Sequence, residues 1–166
     1  QIKLLIICVM FENKLDTKNL INFCNETLDI SGKIALTHFR DIRDLTIKID
    51  ESPVTIADKQ IEQVIRREIE KKYPNHNIVG EEFEVLNNES EYTWYIDPID
   101  GTRSFVAGKN DFGTLIALVK NEEIIGGVID CPALKERWIS FERDVTTVNG
   151  DVIKCRKIDQ LEYSVM

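Results

Sequence analysis

Around Tyr73-Pro74-Asn75 the spacing of apolar residues switches from a helical to a strand period, which confines the chain to helices first and sheet afterwards. Upstream, Leu20, Ile21, Cys24, Leu28 and Ala35 fall on one face of a helix that Asp16 or Thr17 caps and that runs toward Phe39. A second helix follows Ser52-Pro53-Val54-Thr55. Thr55 and Asp58 form its Thr-x-x-Asp capping pattern, and Ile61, Val64, Ile65 and Ile69 its apolar stripe. Pro74 disfavours helical backbone at Tyr73 and ends it. Downstream, residues 77–80, 92–96, 113–119, 124–130 and 137–140 read as strands, Asn121-Glu122 as a hairpin turn, and Asn149-Gly150 as the strongest hairpin signal in the chain. Two long helices ahead of antiparallel-looking strands predict an α+β layered fold, helices packed on an antiparallel sheet, and not alternating βαβ units.

No repeat, low-complexity tract or Pro/Gly-rich linker divides the 166 residues, which suit a single domain with a real core. The 21 basic and 29 acidic residues leave a formal charge of −8, which opposes general attraction to nucleic acid or an anionic membrane. An acidic protein that handles any anionic ligand such as phosphate usually needs a cation between the two. Cys8, Cys24, Cys131 and Cys155 are scattered, without a Cys-x-x-Cys pair or a histidine cluster, which suits reduced cytoplasmic thiols and neither a disulfide framework nor a zinc site. His38 and His76 stand alone and read as surface or capping residues. The apolar run at the start is shorter than the roughly 20 residues a membrane span needs. No small-x-small cleavage site follows it, so residues 1–10 read as an extension ahead of the domain.

Chemistry concentrates in Trp94-Tyr95-Ile96-Asp97-Pro98-Ile99-Asp100-Gly101-Thr102, where a β-rich run delivers two carboxylates, three residues apart, to a turn. Pro98 restricts the approach to extended backbone, and Gly101 lets the main chain come close to a ligand. Neighbouring aspartates repel unless a proton or cation lies between them, and a hard divalent cation such as magnesium takes oxygen ligands. An isolated Asp-x-x-Asp-Gly is equally an ordinary turn with two solvated acids. Against that plain reading stands Ile78-Val79-Gly80-Glu81-Glu82, a second apolar strand ending in carboxylates, so three acidic positions can converge at adjacent strand ends.

Gly80-Glu81-Glu82 followed by Trp94 to Thr102 and Phe105, with Ser52 to Asp58 upstream, resembles the signature motifs of the inositol monophosphatase family at that family's spacing. The resemblance implies the N-terminal sub-domain of that fold and a magnesium-dependent, lithium-sensitive phosphomonoesterase. Glu81, Asp97, Asp100 and the Ile99 carbonyl resemble its metal ligands, for two or three Mg2+ per complete site. Asp100, Gly101 and Thr102 resemble the stretch that meets the substrate phosphate, the last two through backbone amides. Asp58 with Thr102 resembles the pair that positions and deprotonates the attacking water, although a capping residue in a first helical turn needs no catalytic role. Glu82 is expected behind the ligands. Lys48 either offsets negative charge near the site or is simply solvated. The implied mechanism is in-line attack by metal-activated water on the phosphate monoester.

The stretch Arg103 to Gly108, with Gly127-Val128-Ile129-Asp130 and Glu136-Arg137-Trp138, resembles the histidinol-phosphate phosphatases of this superfamily more than its bisphosphate nucleotidases, with inositol monophosphate close behind. The expected substrate is a small phosphorylated alcohol, with no nucleic acid or membrane partner, a cytoplasmic setting and a homodimer when full length. Complete members continue into a second sub-domain with a Trp-Asp-x-Ala-Ala motif, and no Trp-Asp pair occurs here. Two classes therefore stand side by side: the N-terminal part of an enzyme, and a non-catalytic metal- or partner-binding fragment.

Overall fold

The structure, a computed structural model, describes residues 16–41, 45–47 and 53–155, without the side chains of 45–47 and 53–55. Lys48, the 1–10 extension and the capping side chain of Thr55 lie outside the described residues.

Helix α1 spans Thr17–His38, and of the two candidate caps it is Asp16 whose Oδ1 accepts from the Lys18 N–H at 3.0 Å. Leu20, Cys24, Leu28 and Ala35 are buried as their spacing requires, while Ile21 is only partly covered. Burial pushes the Cys24 thiol up to about 12. Helix α2 spans Ile56–Lys72 and stops where Pro74 forbids another turn. Ile61, Ile65 and Ile69 are fully buried, and Val64 sits at the margin. Neither helix is long and apolar enough to cross a membrane.

A small antiparallel pair, β1 (Leu45–Ile47) and β2 (Pro53–Thr55), precedes α2. The main sheet contains β3 (Asn77–Gly80), β4 (Tyr92–Asp100), β5 (Gly113–Lys120), β6 (Glu123–Cys131), β7 (Glu136–Glu142), β8 (Val145–Val148) and β9 (Asp151–Ile153), hydrogen-bonded in that order. A five-residue helix α3, Thr102–Val106, interrupts the run after β4. The expected antiparallel sheet holds from β4 to β9, but β3 runs parallel to β4. Parallel neighbours need a long return path, and residues 81–91 supply it, with Leu86 folding back to bridge Ile78 of β3. Both hairpin signals are turns with left-handed backbone, Asn121 and Glu122 at φ 47 and 71, Asn149 and Gly150 at φ 51 and 92.

Period-two alternation splits the sheet into two faces. Trp94, Ile96, Ile116, Leu118, Val128, Ile139 and Phe141 are buried toward the helices, where Phe23 of α1 tilts against Trp94 at 5.5 Å. Cross-strand register puts Tyr95, Ala117, Gly127 and Ser140 in one row of the other face, and Asp97, Leu115, Ile129 and Trp138 in the next. Tyr95 and Ile129 are 46% and 47% exposed, so this second face is open.

His76 is not the isolated surface residue its sequence context suggests. It is stacked between Tyr73 and Tyr92 at 4.9 and 4.8 Å, and its Nδ1 accepts from Trp94 Nε1 at 3.0 Å. Burial lowers its pKa below the usual histidine value.

Candidate functional site

The parallel pairing of β3 with β4 builds the site. Gly80, the last residue of β3, is registered with Ile96, so Glu81 just past that strand and Asp97 still within β4 come side by side at the same end of the sheet. Antiparallel strands would have sent them to opposite ends. Asp97 pairs with Leu115 and Asp100 with Gly113, leaving Pro98 and Ile99 opposite the single residue Thr114. That is a bulge. Residues three apart on a regular strand point to opposite faces, and one inserted residue restores Asp97 and Asp100 to the same side. Thr114 Oγ1 fixes the bulge by donating to the Pro98 carbonyl at 2.8 Å.

Gly101 follows at φ 81 and ψ 35 as the N-cap of α3, and a Cβ there would meet the Asp111 carbonyl at 2.9 Å, so both backbone and space require glycine. Thr102 Oγ1 donates to the Ile99 carbonyl at 2.9 Å. Phe105, buried against Phe39 and Phe112 at 5.6 and 4.8 Å, anchors α3, which packs on β2 just ahead of Asp58.

Asp97 carries the electrostatics. Its pKa rises to about 6, first because it is buried and then because Glu81, Asp100 and Asp58 add negative charge, with partial relief from the Ile99 N–H. Asp97 Oδ1 is buried without a hydrogen-bond partner. Asp58, 1% exposed in the first turn of α2, and the exposed Glu81 and Asp100 are thus its electrostatic neighbours. Among the described residues no three His, Cys, Asp or Glu side chains stand close enough to enclose an ion. An oxygen-only donor set around an orphaned carboxylate oxygen nevertheless fits a hard cation, which would relieve the repulsion that raises Asp97.

The sequence model of the inositol monophosphatase family matches residues 16–165. This chain belongs to that family. It is 42% identical over 144 residues to the bifunctional phosphatase IMPL2, chloroplastic, of Arabidopsis thaliana, covering 86% of this chain and 42% of that one. A histidinol-phosphatase of Chlorobaculum parvum is 37% identical over 85% of this chain and 55% of its own. Among solved structures, a Thermotoga maritima IMPase superposes with a TM-score of 0.77 at 31% identity, over 84% of this chain and 54% of that chain. The chain thus spans about half the length of the relatives it matches.

Within this inositol monophosphatase fold, Glu81, Asp97, Asp100 and Asp58 share one electrostatic neighbourhood, and Ile99, Gly101 and Thr102 form the turn beside it. Glu82 is half-buried, with its backbone N–H on Glu62 Oε2 at 2.7 Å. Glu62 itself escapes a reading of the sequence, although its place four residues after Asp58, among the apolar positions 61, 65 and 69, marks it as an acid on the buried side of α2. Glu81 and Asp97 stand at one end of an apolar trough of about 750 Å3 that runs along the open face past Leu115, Ile129 and Trp138.

Proposed function

We propose that this chain carries the metal- and phosphate-binding part of a magnesium-dependent phosphomonoesterase that hydrolyses a small phosphorylated alcohol, histidinol phosphate or inositol monophosphate. The observation that carries the reading is Asp97, a carboxylate with an orphaned buried oxygen whose pKa is raised by burial and by three further acids. Glu81, Asp97, Asp100 and the Ile99 carbonyl would hold the metal. When bound, magnesium supplies Lewis acidity toward phosphoryl oxygens and a lowered pKa for a water. The backbone amides of Gly101 and Thr102, beside Asp100, hold the substrate phosphate. Asp58 takes up the proton of the attacking water at its carboxylate. Thr102 Oγ1 orients that water, turning for this from the Ile99 carbonyl it meets at 2.9 Å. Lithium sensitivity, a homodimer and a cytoplasmic setting belong to the same proposal.

The substrate class is supported by relatives named as histidinol-phosphatase and inositol-1-monophosphatase. Phosphate release by the full-length protein tests the whole. Turnover should require magnesium and favour histidinol phosphate in kcat/KM over a nucleoside 3′,5′-bisphosphate. Asp97→Asn and Asp100→Asn should each lower it on the order of a thousandfold, several kcal/mol of transition-state stabilisation. Near-normal turnover in either variant would refute the metal assignment, and preference for the bisphosphate would refute the substrate assignment. For the 166-residue chain alone, magnesium at ten times its dissociation constant should add about 1.4 kcal/mol of stability, read as a shift in thermal melting.

A further inference from the structure

Glu62 lies on the buried side of α2 with none of its surface exposed. A buried acid needs donors, and Glu62 has three. Its Oε2 accepts from the Glu82 N–H at 2.7 Å, and its Oε1 accepts from the Phe83 N–H at 3.3 Å and from Arg66 Nε at 2.8 Å. Arg66 also donates through Nη2 to the Phe83 carbonyl at 3.1 Å. One helical turn apart, the two side chains therefore grip both backbone groups of Phe83 and the N–H of Glu82. Those residues directly follow Glu81.

Gly80 supplies an independent observation. Its φ is not among the positive ones, so the backbone path does not demand glycine there. Space does: a Cβ at position 80 would fall on the Glu62 carboxylate. The end of β3 is thus pressed directly onto Glu62. Asp58, Glu62 and Arg66 follow one another at intervals of four along a single stripe of α2.

We infer that Glu62, braced by Arg66, is a positioning residue for the candidate metal site. It locks the backbone after Glu81 so that the Glu81 carboxylate is delivered beside Asp97, and it does so from the helix stripe that carries Asp58. The inference rests on the proposed reading of Glu81 as a magnesium ligand. One rigid helix then sets the spacing between the proton acceptor and a metal ligand, which come from segments far apart in sequence.

The test uses the 166-residue chain with Glu62→Gln, Glu62→Ala, Gly80→Ala and the control Asp97→Asn. Two quantities are read, hydrogen exchange of the Glu82 and Phe83 amides without metal, and magnesium affinity by calorimetric titration. Glu62→Ala should expose both amides to fast exchange and weaken magnesium binding about 10- to 100-fold, the usual effect of removing a group that holds a metal ligand in place. Glu62→Gln, which keeps one acceptor oxygen, should fall between it and the unaltered chain. Gly80→Ala should reproduce Glu62→Ala, and the double variant should be no worse than either. If Glu62→Ala does not fold, Glu62→Gln and Gly80→Ala decide. A merely structural role would lower the melting temperature and leave the affinity unchanged; that result, or unchanged exchange at both amides, overturns the inference. Magnesium binding undiminished in Asp97→Asn, or absent from the unaltered chain, would instead overturn the metal reading and leave only the grip that exchange has measured.

Discussion

On the side of the sheet turned to the helices, Trp94, Ile116, Leu118 and Val128 are buried to within 2%. On the opposite side, Tyr95 and Ile129 from the same strands are about half exposed, and the row that holds Leu115, Ile129 and Trp138 ends in Asp97. One side resembles the interior of a finished domain. The other combines apolar surface with the carboxylates of Asp97 and Glu81 at its end. The difference shows that alternation along a strand can divide labour, with stability made on one side and charge gathered on the other.

The largest test of this division is polar. Arg137 donates through Nε to Asp130 Oδ1 at 2.8 Å and through Nη1 to Asp29 Oδ1 at 2.9 Å and the Asn25 carbonyl at 3.2 Å, tying β7 and β6 to α1. Asp130 is 4% exposed, and its Oδ2 already lacks a partner. Arg137→Met would strand it, so unfolding in urea should show a loss of about 3–5 kcal/mol. A loss below about 1 kcal/mol would break the claim that the helix side is held by more than apolar contact.

Next comes a paired substitution. Leu118→Ala on the helix side should cost about 2–5 kcal/mol, the range for emptying a packed position. Ile129→Ala, on the open side, should cost less than about 1 kcal/mol in the same assay, because about half of that residue already meets water. Equal losses would mean that the open side is covered in solution.

The smallest effect has the opposite sign. The folded pKa of Asp97, about 6, lies above the ordinary aspartate value of 3.8, so the folded state holds this proton more tightly than the unfolded one. That contribution is complete below about pH 4 and is lost as pH rises through 6. Asp97→Asn keeps the shape without the charge. In metal-free buffer it should match the unaltered chain near pH 4 and exceed its stability at pH 8 by on the order of 1–2 kcal/mol, after discounting for solvent screening. A destabilised Asp97→Asn at pH 8 would show that the acid is already relieved in the folded state.

Much of this is legible in the sequence itself. Caps, the recurrence of Leu20, Cys24 and Leu28, and the two hairpin turns are local signals, and local chemistry decides them. Strand direction is not local. Apolar alternation reads the same both ways, so the parallel setting of β3 depends on the return path through residues 81–91. Nor does the sequence display the bulge at Pro98 and Ile99, which turns two aspartates three apart onto one side. The acids themselves announced their chemistry through Asp-Pro-Ile-Asp-Gly-Thr. Glu62 and His76 did not, because a glutamate on a helix reads as solvated and a lone histidine as incidental until distant segments bring them backbone amides, tyrosine rings and the Trp94 indole.

The chain has two tryptophans. Trp94 is buried with its ring N–H on His76, while Trp138 lines the trough on the open side. Fluorescence is therefore already sorted by side. In a Trp138→Phe background the remaining emission should follow melting of the helix-covered interior; in a Trp94→Phe background it should follow whatever settles on the exposed strands. The fold thus contains its own pair of optical labels, one for each surface of a single sheet.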